Sequence, residues 1–290
     1  MPDTISPPRP ALPPLTVVAS ATIRRHVGLV ASVVRNRQLL VQLSIREIES
    51  HFRGSLLGKV WAVVVPLFML GLYTLVFSAI LHVKWPGEPR SELRVALLYF
   101  AGLILSNFFT ECINRAPVLF IGNVSFIKKV VFPLEILAWV AVAGALFRAG
   151  ISACVLIVYY LIIEGLPPVS AIAIPAIIAP LVLMVAGLTW IFAAIGVFVR
   201  DLRHAMMVVM PAMMFLSPIF FPLSAVPEKI RFIFYINPLT YPVEAVRNAL
   251  FFGMWPNWLA IACYAGAAWF IAWAGLTIFT KLRTGFADVI

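Results

Sequence analysis

From residue 60 onward the chain alternates long apolar runs with short polar breaks. Four runs contain no Asp, Glu, Lys or Arg at all: 60–83, 165–199, 205–227 and 248–280. A helix needs about 20 apolar residues to cross a hydrocarbon core of about 30 Å. The pattern predicts an all-α polytopic membrane protein with six transmembrane helices, over 60–81, 95–115, 132–163, 174–199, 205–221 and 258–280. The fourth and fifth are separated by RDLRH, residues 200–204, too charged to lie in lipid. Polar residues enter the second at Asn107, Glu111 and Asn114, and Arg148 falls near the middle of the third.

Two other segments carry a pattern without spanning length. In 39–52, Leu40, Leu43, Ile45, Ile48 and Phe52 are interleaved with Arg46, Glu47 and Glu49, as in an amphipathic helix lying in a membrane interface. The loop 224–256 is apolar but interrupted by Pro227, Pro238, Pro242 and Pro256. It predicts two short helices, near 228–236 and 241–252, either re-entrant caps over a pore or surface helices in the headgroups. The organisation expected is a flexible cytoplasmic tail over 1–35, an interfacial helix over 36–55 and a six-span domain over 56–290.

Composition supports this division. Of 290 residues, 62% are hydrophobic and 12% charged, with a mean hydropathy of +1.01, which excludes a soluble domain of this length. The net charge of +10 does not imply nucleic acid, because the basic residues lie between apolar runs, where they set orientation. With the N-terminus inside, 15 Lys and Arg fall on the cytoplasmic side and 6 outside, so both termini are expected to be cytoplasmic. The proline-rich first 20 residues are not a removable signal peptide in this reading. Cys112, Cys154 and Cys263 are scattered in largely apolar sequence, so no disulfide or metal site is expected.

HFRGSLLGKVW, residues 51–61, has the glycines and lysine of a phosphate loop but not its spacing. Gly54 and Gly58 are one residue too close, and Lys59 is followed by Val60, which has no hydroxyl for magnesium. The stretch is read as a bend, hinged at Gly54, from interfacial helix into first span. Any ATP dependence must then come from a partner.

The segment HFRGSLLGKVWAVVVPLFMLGLYTLVFS, with Trp61 and Pro66, resembles the start of the membrane domain in ABC transporter permeases that export surface polysaccharides. The resemblance continues through FIGNVSFIKKVVFPLEIL, FVRDLRHAMMVVMPAMMFLSPIFFPLSAVPE and NPLTYPVEAVRNALFFG. It implies a half-transporter in the inner membrane. Two copies form the channel, two separate nucleotide-binding subunits bind ATP and Mg, and this chain holds no cofactor of its own. The cargo implied is a lipid-linked glycan: O-antigen of lipopolysaccharide, capsule, or teichoic acid. By the same resemblance, residues 118–131 are the coupling segment, with Ser125, Phe126, Lys128 and Lys129 docking into the ATPase.

Further candidates come from residue chemistry. Arg46, Arg53 and Lys59 at the inner interface can receive a lipid pyrophosphate, or anchor to anionic lipids. Arg148 either meets an anionic group in transit or pairs structurally with Glu111 or Glu135; Glu111 and Arg115 are spaced for an i,i+4 pair. Phe108, Phe109, Phe215, Phe220 and Phe221 are either sugar-stacking rings of a pore or ordinary packing. Pro238, Tyr241, Glu244 and Arg247 belong to the outer gate, the last two as an exposed ion pair or a tie between copies. A drug or small-lipid exporter of the same superfamily is the alternative. An enzyme is not expected, because no loop carries a paired carboxylate or Ser/His/Asp set.

Overall fold

A computed structural model describes residues 34–52, 58–76, 92–123 and 132–286. These residues form an all-α membrane protein. Its helices are α1 (Arg37–Phe52), α2 (Trp61–Tyr73), α3 (Glu92–Arg115), α4 (Ile136–Ile163), α5 (Ile174–Phe198), α6 (Leu202–Phe215), α7 (Glu228–Ile236), α8 (Thr240–Phe251) and α9 (Trp258–Leu282). The tail 1–33, the Gly54 hinge, and most of the coupling segment lie outside the described residues.

Local chemistry sets most boundaries. Gly58, at φ +51°, turns the chain into α2, while the bend expected at Gly54 lies outside the described residues. Gly165, at φ +83°, stops α4 directly after Glu164. Pro175 sits in the first turn of α5, where a missing N–H costs nothing. Asn257 caps α9, its side chain accepting from the backbone N–H of Leu259 at 3.0 Å and Ala260 at 3.2 Å.

Among the described residues, four helices are long and apolar enough to cross a membrane: Leu93–Val118, Ile136–Ile163, Val169–Phe198 and Trp258–Gly285. The other two expected spans are shorter. α6 has 14 residues and stops at Phe215, not near 221 as the hydropathy predicted. Pro218 follows closely, and the chain turns tightly, the Ile219 N–H donating to the Ser217 carbonyl at 2.7 Å. The helical turns at the start of the first span reach 76, and its expected end at 81 lies outside the described residues.

The helices run between two ends. At one, α1 packs on α4, and Phe120, Phe198, Phe279 and Phe286 cluster, Phe120 lying 5.3 Å from both Phe279 and Phe286 between ring centroids. The N-terminal helix and the end of α9 therefore share a side. At the opposite end, α7 and α8 close over α3 and the start of α5, where Ser170 Oγ donates to the Ala249 carbonyl at 2.7 Å. Arg94 at the head of α3 pairs there with Glu164 at 2.8 Å.

Lipid tails are as apolar as leucine, so helix association in a bilayer depends on close packing rather than on hydrophobic burial. The most extensive contact, α5 against α9, runs through Gly187, Ala272 and Gly275. A Cβ added at Gly187 would lie 2.6 Å from the Ala272 Cα, and one at Gly275 would strike the Gly187 carbonyl. Gly266 on the same α9 faces open space. Overpacking costs about 1–3 kcal/mol, or roughly 2–4 °C per kcal/mol in a chain of about this size. Gly187→Ala should lower the thermal unfolding midpoint of the detergent-solubilised protein by several degrees, while Gly266→Ala leaves it unchanged.

Candidate functional site

Four charged residues from three helices converge beside α1. Arg148 on α4 donates through Nε to Glu111 Oε2 of α3 at 3.1 Å, and through Nη2 to Glu111 Oε1. Arg115 of α3 donates to Glu47 Oε1 of α1. Gly144 joins the two pairs: a Cβ there would lie 3.3 Å from Glu47 Cγ and 3.7 Å from Arg148 Nη2. Two guanidiniums and two carboxylates balance, which makes charge at this depth tolerable. Arg148 is 17% exposed and Glu111 35%. The Arg148 Nη1 is buried and has no hydrogen-bond partner among the described residues. Arg148 also lines a cavity of about 100 Å³, together with Tyr73, Asn107, Phe108, Glu111 and Ser152. At about 30 Å³ per water, it holds a few waters or one small polar group.

Two sequence expectations change here. Glu111 and Arg115 do not form their i,i+4 pair; each binds a residue of another helix instead. Glu135 is not the partner of Arg148. It is buried at the far side of the coupling segment, 3.5 Å from Arg283. Glu47 was not singled out by sequence reasoning. Its position between Arg46 and Glu49 looks solvent-facing, yet Arg46 is exposed while Glu47 turns inward.

The five phenylalanines do not act as one set. Phe108 and Phe109 are each 2% exposed and belong to the protomer core. Phe109 also borders a cavity of about 470 Å³ between α3, α5, α6 and α9, which Pro238 and Tyr241 border as well. Phe215, at 63% exposed, stacks on half-buried Phe220 at 5.9 Å, and Phe220 meets Tyr99 at 6.1 Å. Phe221 packs against Phe234 of α7 at 5.6 Å.

The two outer helices form where proline spacing placed them. Asn237 between them donates to the carbonyls of Met213 and Leu216, tying the pair to the end of α6. Tyr264 of α9 donates to the Pro238 carbonyl at 2.9 Å, and its ring lies 5.5 Å from that of Tyr241. Glu244 and Arg247 are not an exposed ion pair. Arg247 is 2% exposed and donates to the carbonyls of Leu98, Pro218 and Ile219. Glu244 accepts from the Leu223 N–H at 3.2 Å. Burial disfavours charge on both, pulling the Arg247 guanidinium down and pushing the Glu244 carboxyl up from their ordinary values.

Ser125, Phe126, Lys128, Lys129 and Arg53 lie outside the described residues, and Lys59 is described in its backbone alone. The stems of the coupling segment are nonetheless fixed. Phe120 sits in the phenylalanine cluster, and on the other stem the Glu135 carbonyl accepts from Trp190 Nε1 at 3.0 Å. Among the described residues no group of His, Cys, Asp or Glu has the arrangement of a metal site.

Removing one partner of a fully buried pair costs about 3–5 kcal/mol, and the exposure of Glu47 and Arg115 puts theirs below that range. Glu47→Arg should detach α1 from α3, seen as faster proteolysis within 37–52 of the reconstituted protein. The double change Glu47→Arg with Arg115→Glu should restore protection.

The chain matches the ABC-2 type transporter family over residues 38–251. It is 27% identical over 256 residues to the O-antigen export system permease protein RfbA of Klebsiella pneumoniae, covering 87% of this chain and 95% of that one. It is 24% identical to the protein of the same description from Myxococcus xanthus, covering 91% of this chain and 100% of that one. The polysialic acid transport protein KpsM of Escherichia coli is 22% identical, over 72% and 79%. The matched span begins with α1 and closes at the end of α8, so α1, the charged cluster and the short helices α7 and α8 all fall inside it: this chain belongs to the ABC-2 type transporter family, as a polytopic membrane permease.

Proposed function

We propose that this chain is the channel-forming subunit of an ATP-driven exporter that moves lipid-linked surface polysaccharide, O-antigen or capsule, across the inner membrane. The observation that carries the reading is the likeness to permeases named for O-antigen export, which extends over nearly the whole of both chains. The likeness to a polysialic acid transport protein points to the same class of cargo.

In this reading two copies assemble around the path, and two copies of a separate nucleotide-binding subunit supply ATP and Mg. α2 and α6 complete six crossings with the four long helices. The end that holds α1 and the end of α9 faces the cytoplasm, in keeping with the 15 to 6 distribution of Lys and Arg. ATP-driven closure of the partner acts on 118–131, whose stems are seated on α5 and α9, and the push reaches the bundle as a rigid-body shift. The Glu111–Arg148 pair borders the path, beside the small cavity that Asn107 and Ser152 also line.

A strain lacking the gene tests this. It should lose surface polymer and accumulate full-length lipid-linked chains inside, shown by surface staining and lipid extraction. A normal surface with no trapped intermediate refutes polysaccharide export and leaves a small-substrate exporter.

A further inference from the structure

A third cavity, of about 410 Å³, opens between α7, α8 and the segment 222–224, at the end of the molecule away from α1. Its volume lies within the usual range for small-molecule sites. The lining differs from that of the apolar cavity beside α6. Arg231, Glu244, Asn248 and Ser224 bring polar groups, and Tyr235 and Phe252 bring ring surface. Buried Arg247 forms the floor, held by the carbonyls of Leu98, Pro218 and Ile219. Arg231 donates to the Val226 carbonyl at 3.0 Å through Nη2, while its Nε is buried with no hydrogen-bond partner among the described residues.

The mixture of groups selects the ligand. An anion such as a phosphate would be drawn to the arginines but repelled by the Glu244 carboxylate in the same wall. A polyol satisfies both: its hydroxyls donate to the carboxylate and accept from Arg231, Ser224 and the Asn248 amide. The exposed face of Tyr235 suits the C–H face of a pyranose. We propose that this pocket is a saccharide subsite that takes a neutral, hydroxyl-rich sugar residue, and that polymer leaving the path touches it. The proposal rests on the export reading for its biological cargo, not for its binding chemistry.

The test is saturation-transfer NMR on the full chain in nanodiscs. Glucose, mannose, N-acetylglucosamine and inorganic phosphate are offered one at a time, to the wild type, Asn248→Ala and Ser224→Trp. Asn248→Ala deletes an amide whose side chain anchors no other element in the structure, and Ser224→Trp fills the pocket from an exposed position. The expected result is transfer to at least one neutral sugar, reduced fivefold or more in both variants with the unfolding midpoint unchanged. No transfer to any neutral sugar, or transfer equal in wild type and variants, overturns the proposal. Transfer to phosphate alone also overturns it and makes the pocket an anion site. The readout is independent of surface polymer. A gene deletion with a normal surface therefore refutes the export reading without touching the subsite, and a wild type that restores export but binds no sugar refutes the subsite alone.

Discussion

Backbone carbonyls released from a helix inside a bilayer have no water to turn to, and the protein must bring donors to them. Arg247 does this. The chain breaks its helix after Phe215, passes Pro218, and leaves the carbonyls of Pro218 and Ile219 without helical partners. The guanidinium of Arg247 reaches both, and with Nε reaches Leu98 in α3. One side chain thereby joins the end of α6, the middle of α8 and the first turns of α3. The space it needs exists because Gly102 has no side chain; a Cβ there would lie 2.7 Å from Arg247 Nη2. The outer helices, the break in α6 and the pocket above Arg247 all depend on this contact.

At the other end the same constraint is met differently. Glu47, Glu111, Arg115 and Arg148 are charges close to lipid, and each is made tolerable by a partner on another helix. The consequence is mechanical. α1 is tied to α3 by an ion pair and lies on α4 at Gly144, so it cannot shift without disturbing the bundle. The phenylalanine cluster fixes the chain just after α3, at Phe120, to α5 and α9. A displacement applied at that end is passed to close-packed helices rather than absorbed.

Between the two ends the bundle is held by fit. Gly187 and Gly275 let α5 and α9 approach until backbone touches backbone, and Gly196 does the same against Pro117. Such contacts favour a small number of discrete arrangements over continuous deformation.

The sequence by itself determined the all-α membrane class, a helix ahead of the first apolar run and the two short helices before α9, because each follows from local signals: apolar run length, periodicity, glycine and proline. The resemblance to polysaccharide-export permeases was likewise legible in four ordered segments. What only the tertiary structure decided was the partner of each charge. Spacing on one helix suggested Glu111 with Arg115, yet both bind across helices, because in the bundle Arg148 and Glu47 present opposite charge at the shared face of α3 and α4. Glu244 and Arg247, one turn apart, suggested a surface pair. The fold instead buries Arg247 under a chain break that no local pattern announces, and the carbonyls of that break attract it more effectively than its neighbour does. Hydropathy measures how apolar a stretch is but not where its backbone stops being helical, which is why α6 ends six residues earlier than the span expected over 205–221.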